Sequence, residues 1–303
     1  MELPKKVLVG YKVLDEIGEF IESLIPGKSL MIISGENVKT LLGELLIKNL
    51  KGFNWSWEVI KEATLEQVKK VIDKVKERRI DMIVGFGGGK SIDIAKLTAF
   101  RGNLPFISVP TSASHDGISS PFASIKGTEK PYSLVAKPPI GILIDIKVIA
   151  NAPKRLLLSG CGDLIAKITA VKDWELARDK RGEYFGRYSA NLAKLSANIV
   201  MEEAERISKW EDEGIRVVIE ALISAGVAAG IAGSSRPCSG SEHLFSHALD
   251  LIAPNLGLHG EKCALGTIMM AKLHGLEWEK IRETLEILGL PTKAKNLGLR
   301  DDI

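Results

Sequence analysis

Three of the chain's five histidines, His243, His247 and His259, fall in one stretch from Gly233 to Gly260 that begins Gly-Ser-Ser-Arg-Pro-Cys-Ser-Gly-Ser-Glu-His-Leu-Phe-Ser-His. His243 and His247 are four residues apart, so a helix projects both imidazoles from one face. His259 follows a Pro254-Asn255-Leu256-Gly257 break, which lets a second helix return towards the first. Histidines converging in this way suit a three-point metal site; taken singly, each reads equally as a core or surface residue. Asp163, in Ser159-Gly160-Cys161-Gly162-Asp163-Leu164-Ile165-Ala166-Lys167, lies between glycines and an apolar run on an expected interior face. A buried carboxylate needs a partner, because leaving it ionised and alone is costly. Two partners are open: Lys167, one helical turn on, or a cation held with His243 and His259. Cys263 lies four residues after His259, and thiolate also suits zinc; with Cys161 as a second thiolate the site would instead be closed and structural.

A second constellation reads as a phosphate cradle. Gly85-Phe86-Gly87-Gly88-Gly89-Lys90-Ser91-Ile92-Asp93 follows an apolar strand and opens a helix near Lys90. Consecutive glycines let backbone approach a ligand, and the helix start points free N–H groups at it. The spacing is neither the dinucleotide G-x-G-x-x-G nor the P-loop, which needs one more residue before Gly-Lys-Ser. The next strand ends in Pro110-Thr111-Ser112-Ala113-Ser114-His115-Asp116-Gly117-Ile118-Ser119-Ser120, whose dense hydroxyls suit a pyrophosphate, a ribose or a nicotinamide amide, or simply an ordinary loop.

Both constellations need rigid elements behind them. Strands are expected at 6–10, 29–34, 55–60, 81–84, 104–109 and 141–145, separated in the first four intervals by helical patterns such as 13–25, 37–50 and 64–76, with an extended pair at 121–125 and 132–135. Thr64 and Gln67 form a capping-box pattern. Alternation of this kind predicts βαβ units and a doubly wound, Rossmann-like α/β sheet with ligands at the carboxyl ends of its strands. Beyond Pro153 long helical patterns take over, at 155–178, 188–208, 214–232, 240–252, 260–274 and 278–288. The reading is a cofactor-binding α/β domain at 1–151 and an all-α domain at 152–303.

The totals set outer bounds. At 303 residues, with 45% apolar and 26% charged residues and a net charge of +3 from interspersed charges, the chain reads as globular with no nucleic-acid stripe. Three scattered cysteines argue against a disulfide framework and for a reducing compartment. The start lacks the apolar core of a signal peptide, and the run Val217 to Gly233, interrupted by Glu220, reads as a buried helix rather than a membrane span. A cytoplasmic, non-integral protein is expected.

Taken together, Gly87-Gly88-Gly89-Lys90-Ser91-Ile92-Asp93, Pro110 to Gly117, Ser159 to Asp163, Ser239-Gly240-Ser241-Glu242-His243 with His247, and His259-Gly260-Glu261 resemble the dehydroquinate-synthase-like, iron-containing alcohol dehydrogenase superfamily, and within it the archaeal sn-glycerol-1-phosphate dehydrogenases. The resemblance spans nearly the whole chain. It implies a Zn²⁺ site formed by Asp163, His243 and His259, with His247, Asp116 and Asp163 at the substrate and in catalysis. It implies that Gly87, Gly88, Gly89, Lys90, Ser91 and Asp93 hold the pyrophosphate of NADPH or NADH, while Thr111, Ser112, Ser114 and Ser120 line the nicotinamide side. The implied reaction is reduction of dihydroxyacetone phosphate to sn-glycerol 1-phosphate for archaeal membrane lipids, by a homo-oligomer. Arg236, with Ser234 or Ser235, is the expected phosphate anchor. At the end of the second strand Glu36 would repel a 2′-phosphate and Ser34 or Asn37 accept one, so both cofactors stay open. A dehydroquinate synthase would share fold, NAD and zinc, but its first ligand is usually Glu; a glycerol dehydrogenase would not need Arg236; a non-catalytic nucleotide-sensing module would not need Asp163, His243 and His259.

Overall fold

The computed structural model describes residues 2–27, 29–126, 133–254 and 256–299, without the side chain of Ser133. The chain divides into two compact units: Met1–Ser112 with Gly117–Ala152, and Ala113–Asp116 with Pro153–Ile303. The short detour of Ala113–Asp116 into the second unit is absent from the expected single boundary.

The first unit runs β1 (Lys6–Gly10), α1 (Ile17–Glu22), β2 (Ser29–Ser34), α2 (Glu36–Ile47), β3 (Asn54–Val59), α3 (Leu65–Glu77), β4 (Met82–Gly87), α4 (Gly89–Gly102), β5 (Phe106–Pro110), β6 (Phe122–Ser124), β7 (Ser133–Val135), β8 (Gly141–Asp145) and α5 (Ile146–Ala150). Six strands form one sheet in the order β1-β8-β5-β4-β2-β3, with every neighbouring pair parallel. The central strands read as continuous apolar runs because both faces are covered. Along β2, Met31 and Ile33 join a core with Val68 and Val71 of α3 and Ile92 and Ala95 of α4. Leu30 and Ile32 face the opposite core, with Ile17 and Phe20 and with Leu46 of α2. Thr64 caps α3 by accepting the Gln67 amide at 3.1 Å. β6 and β7 pair antiparallel; of the expected segment 132–135, Tyr132 lies outside the described residues.

β4 continues three residues beyond the expected Val84, which corrects the reading of Gly85 to Gly87 as loop. Gly85, Phe86 and Gly87 pair in register with Ser108, Val109 and Pro110. Gly85 is there for packing: a Cβ would stand 2.9 Å from both Ala95 Cβ and the Phe106 ring.

The second unit is helical: α6 (Lys154–Ile165), α7 (Lys167–Arg181), α8 (Arg187–Glu202), α9 (Ala204–Ser208), α10 (Asp212–Ala232), α11 (Ser241–Ile252), α12 (His259–Leu273) and α13 (Trp278–Leu288). Two expected single helices are each divided. The first divides at Ala166, whose carbonyl receives the amides of both Thr169 and Ala170 at 3.1 Å; the second at Glu203, where φ −95° and ψ 11° leave the helical range. By length and composition α10 is apolar enough to cross a membrane. Its Val218, Leu222, Ala225 and Ala229 are buried, and it packs along α8 as a core helix does.

Candidate active site

The side-chain cluster of the second unit starts from glycines. A Cβ on Gly260 would stand 1.7 Å from the Ser159 carbonyl oxygen, and one on Gly162 would stand 2.2 Å from that of Gly260. Without Cβ atoms α6 and α12 pack backbone to backbone, and the Gly260 amide donates to Ser159 Oγ at 3.1 Å. This approach sets Asp163, on α6, beside His259, the first residue of α12. The sharp return between α11 and α12, with Gly257 at φ +66°, stacks those helices together and adds His243.

Asp163 is 2% exposed. Its Oδ1 lies 3.3 Å from His243 Nε2 and 3.7 Å from His259 Nε2, while its Oδ2 accepts the Asp116 amide at 3.0 Å. Donors bound at about 2.0–2.1 Å to a tetrahedral zinc lie about 3.3–3.4 Å apart, close to the two spacings from Asp163, and a carboxylate with two imidazoles is a donor set that suits the ion. Cys263 stands near as well, with Sγ 3.6 Å from His259 Nε2, and among the described residues His243, His259 and Cys263 bring their ligand atoms within 4.8 Å of one another. Cys161, buried and with its thiol pushed up to about 12 by desolvation, is an inert core residue, so a two-thiolate site has no second ligand there.

Burial alone would raise the Asp163 carboxyl, but the Lys167 ammonium and the two imidazoles outweigh it and hold the group well below the usual carboxylate range. Burial likewise opposes imidazolium, yet Cys263, Asp163 and Glu242 keep His243 well above its ordinary value, and Cys263 and Asp163 lift His259 to about 9. Desolvation also opposes ionisation of Cys263, which the two histidines nevertheless bring down to about 6. The surroundings of His243 and His259 thus favour their protonated forms, and a cation bound to these imidazoles displaces those protons. His247 behaves oppositely. Half-buried, with its ring centroid 6.3 Å from that of His259, it is lowered to about 4, by desolvation first and then by the charge of His259 and His243.

Two supporting residues carry more than their sequence contexts suggest. Glu242 is fully buried, and its place beside His243 in the chain gives no sign of a contact because adjacent helical residues do not face one another. It curls back to accept the Gly240 amide at 2.7 Å, and the same Oε1 is 2.7 Å from His243 Nδ1; the Thr169 hydroxyl donates to Oε2 at 2.8 Å. That carboxylate orients His243 so that Nε2 faces Asp163. Lys167, weighed only as a partner of Asp163, also reaches Asp116: its Nζ is 2.9 Å from Asp163 Oδ1 and 2.8 Å from Asp116 Oδ2. Arg236, expected to hold a phosphate, instead places its guanidinium fork on Glu183, at 2.6 and 2.5 Å. Ser234 Oγ accepts the Arg236 amide, and the Ser235 carbonyl accepts those of Cys238 and Ser239.

The other constellation divides between the units. In the first, Gly87 has φ +154°, and a Cβ on it would meet Ser91 Oγ at 2.6 Å. Gly88 alone separates β4 from α4, and its carbonyl accepts the amides of Ser91 and Ile92. The Thr111 amide donates to Gly87 O at 3.0 Å, and a Cβ on Gly88 would come within 3.1 Å of Ser112 Oγ. Lys90 is exposed and Gly89 half-buried at the helix start, whereas Ser91 is buried. Asp93 is also buried; its Oδ2 accepts the Ser124 amide at 3.2 Å, and Lys96 stands 3.5 Å from Oδ1 while donating to the carbonyls of Gly117 and Phe122. In this structure Asp93 thus ties α4 to β6. Ser120 is buried with its hydroxyl 3.5 Å from Phe122 O. Ser34 is occupied too, taking the Trp57 indole N–H at 2.8 Å, whereas Glu36 and Asn37 are exposed. In the second unit the Ser114 carbonyl accepts from Ser159 Oγ at 3.3 Å.

A family model described as iron-containing alcohol dehydrogenase matches residues 8–153. Glycerol-1-phosphate dehydrogenase (NAD(P)+) of Nitrosopumilus maritimus is 53% identical, over all of this chain and 85% of its own length. The protein of the same name from Sulfurisphaera tokodaii is 50% identical, over all of this chain and 87% of its own. Among solved structures, a probable glycerol dehydrogenase from Sinorhizobium meliloti superposes with a TM-score of 0.84 at 24% identity, over all of this chain and 86% of that one, which shows the shared fold.

Proposed function

This chain belongs to the glycerol-1-phosphate dehydrogenase family, and on that premise we propose that it reduces dihydroxyacetone phosphate to sn-glycerol 1-phosphate with NADPH or NADH and a zinc ion. The enzyme is an NAD(P)-dependent oxidoreductase. The observation that carries the reading is the convergence of His243 and His259 on one oxygen of Asp163. Asp163, His243 and His259 hold the metal, and Gly87, Gly88 and Gly89 with the start of α4 receive the cofactor pyrophosphate. When bound, zinc supplies electrophilic stabilisation of the substrate carbonyl and the reduced nicotinamide supplies the hydride.

The chain's own residues bind and orient. Glu242 keeps His243 in the tautomer whose Nε2 is free for the metal. His247 is neutral at neutral pH and offers the substrate a hydrogen bond, with the proton taken up at the new hydroxyl arriving from water. Asp116, 18% exposed at its side chain, accepts from a substrate hydroxyl while Lys167 steadies its other side. Family membership supports a cytoplasmic homo-oligomer that supplies archaeal lipid backbones.

The test is direct. Zinc-loaded protein oxidises NADPH or NADH on addition of dihydroxyacetone phosphate, loses the activity on chelation and yields the sn-1 enantiomer. The sn-3 product, or equal turnover of unphosphorylated dihydroxyacetone, refutes the assignment. Asp163→Asn is expected to abolish zinc retention and to lower kcat/KM by about 10³-fold, the scale of several kcal/mol of metal-derived stabilisation.

A further inference from the structure

Resting on the reading of Asp163, His243 and His259 as metal ligands, we propose that Lys167 is a positioning residue that competes with the metal for Asp163, keeping the bound ion electron-poor, and that it locks Asp116 beside it. Lys167 is the fourth residue after Asp163, and its side chain is fully buried. Its ammonium approaches Oδ1, the same oxygen that faces both histidines, rather than Oδ2, which the Asp116 amide already occupies. Nζ meets both carboxylates at ion-pair distance, 2.8 Å from Asp116 Oδ2 and 2.9 Å from Asp163 Oδ1.

A cation that shares a ligand oxygen with a metal withdraws electron density from that oxygen and repels the ion. With neutral imidazoles, Lys167 is the fixed side-chain cation among the carboxylates of Asp163, Asp116 and Glu242. A positive charge beside a metal ligand favours the negative charge that develops on a carbonyl oxygen during reduction, and an interaction that grows as the reaction proceeds accelerates it. Lys167 has two carboxylate partners, and Asp116 and Asp163 are also joined by the Asp116 amide, so the ammonium fixes the short segment Ala113–Asp116 against α6.

The two roles predict opposite signs for metal affinity. Lys167→Met and Lys167→Gln are expected to bind zinc about tenfold more tightly than the wild type in competition with a chromophoric chelator, the scale of outer-shell effects on metal sites, while kcat for dihydroxyacetone phosphate falls more than KM rises. Lys167→Arg keeps the charge and is expected to keep affinity within about threefold. Asp116→Asn, which leaves the ammonium to Asp163 alone, is expected to weaken zinc binding. Folded Lys167→Gln protein that binds zinc no more tightly than wild type overturns the proposal, and should Lys167→Met fail to fold, the Gln and Asn variants decide it by the same readout. Wild-type protein that does not bind zinc through Asp163 removes the ligand reading itself, a result separable from unchanged affinity in the Lys167 variants.

Discussion

At the end of β4 the proposed binding groups are backbone amides, beside the positive φ of Gly87 and the short turn at Gly88. In the second unit the proposed groups are side chains, Asp163, His243 and His259, brought from three helices. The first arrangement is local: a strand, one residue and a helix start complete it. The second is not, since it exists only while α6 and α12 touch through Gly162 and Gly260. Glycine serves both, in one case for conformation and in the other for approach, so the same substitution should have different consequences in the two regions.

That contrast breaks most sharply under an alanine exchange. In Gly260→Ala the new Cβ meets a carbonyl oxygen that neither helix can move aside alone, so α6 and α12 must part. Denaturant unfolding is expected to show a loss of about 3 kcal/mol or more, with zinc retention lost along with it. In Gly87→Ala the obstacle is the hydroxyl end of Ser91 together with an unfavourable φ, and the expected cost is about 1–3 kcal/mol. Its signature is a raised KM for NADPH and NADH with zinc affinity intact. If Gly260→Ala kept its zinc, the cluster would be as local as the turn, and the comparison would fail.

The same contrast accounts for what was legible in the sequence. The sheet was, because its strands are covered on both faces and its helices carry one apolar stripe each. The glycine turn was largely so, being contiguous, although the pairing of Gly85 to Gly87 with Ser108 to Pro110 depends on β5 and extends the strand beyond the apolar run. His243 and His259 stood out by type and spacing, and Asp163 by its apolar setting. The second partner of Lys167 did not, because nothing near Lys167 in the chain points to Asp116. Glu242 was hidden by its adjacency to His243, which disguises a contact made through the backbone turn at Gly240. The pair of Arg236 with Glu183 was not legible, because a lone arginine near a histidine cluster gives no sign of a carboxylate that arrives from just beyond the end of α7.

A smaller effect sharpens the side-chain half of the comparison. In Glu242→Gln the shape is kept and the charge on the His243 partner is removed. Zinc affinity is expected to fall about 10- to 100-fold, the usual range for outer-shell partners, with little change in cofactor KM. Because His259 is raised to about 9 in the metal-free protein, zinc uptake at pH 7.5 should release protons, and affinity should rise with pH towards 9 in both wild type and variant. Calorimetry in buffers of different ionisation enthalpy measures that release. Uptake without protons would mean that His243 and His259 are already neutral before zinc binds.

The smallest effect is expected at Arg236. Its pair with Glu183 is bidentate but about one-third exposed on both sides, and such pairs contribute about 0–1 kcal/mol. Arg236→Ala should therefore shift stability only within that range. With the guanidinium committed to Glu183, the preference for dihydroxyacetone phosphate over dihydroxyacetone should change by less than about threefold, since an arginine already engaged by a carboxylate must give up one charge-assisted pair to gain another. Glu183→Gln tests the same point from the other side, because it frees the fork without removing it. If the phosphate binds elsewhere, KM for the phosphorylated substrate stays level in both variants; if it binds Arg236, KM rises in Arg236→Ala and falls in Glu183→Gln, and the phosphate anchor returns to the position the sequence suggested.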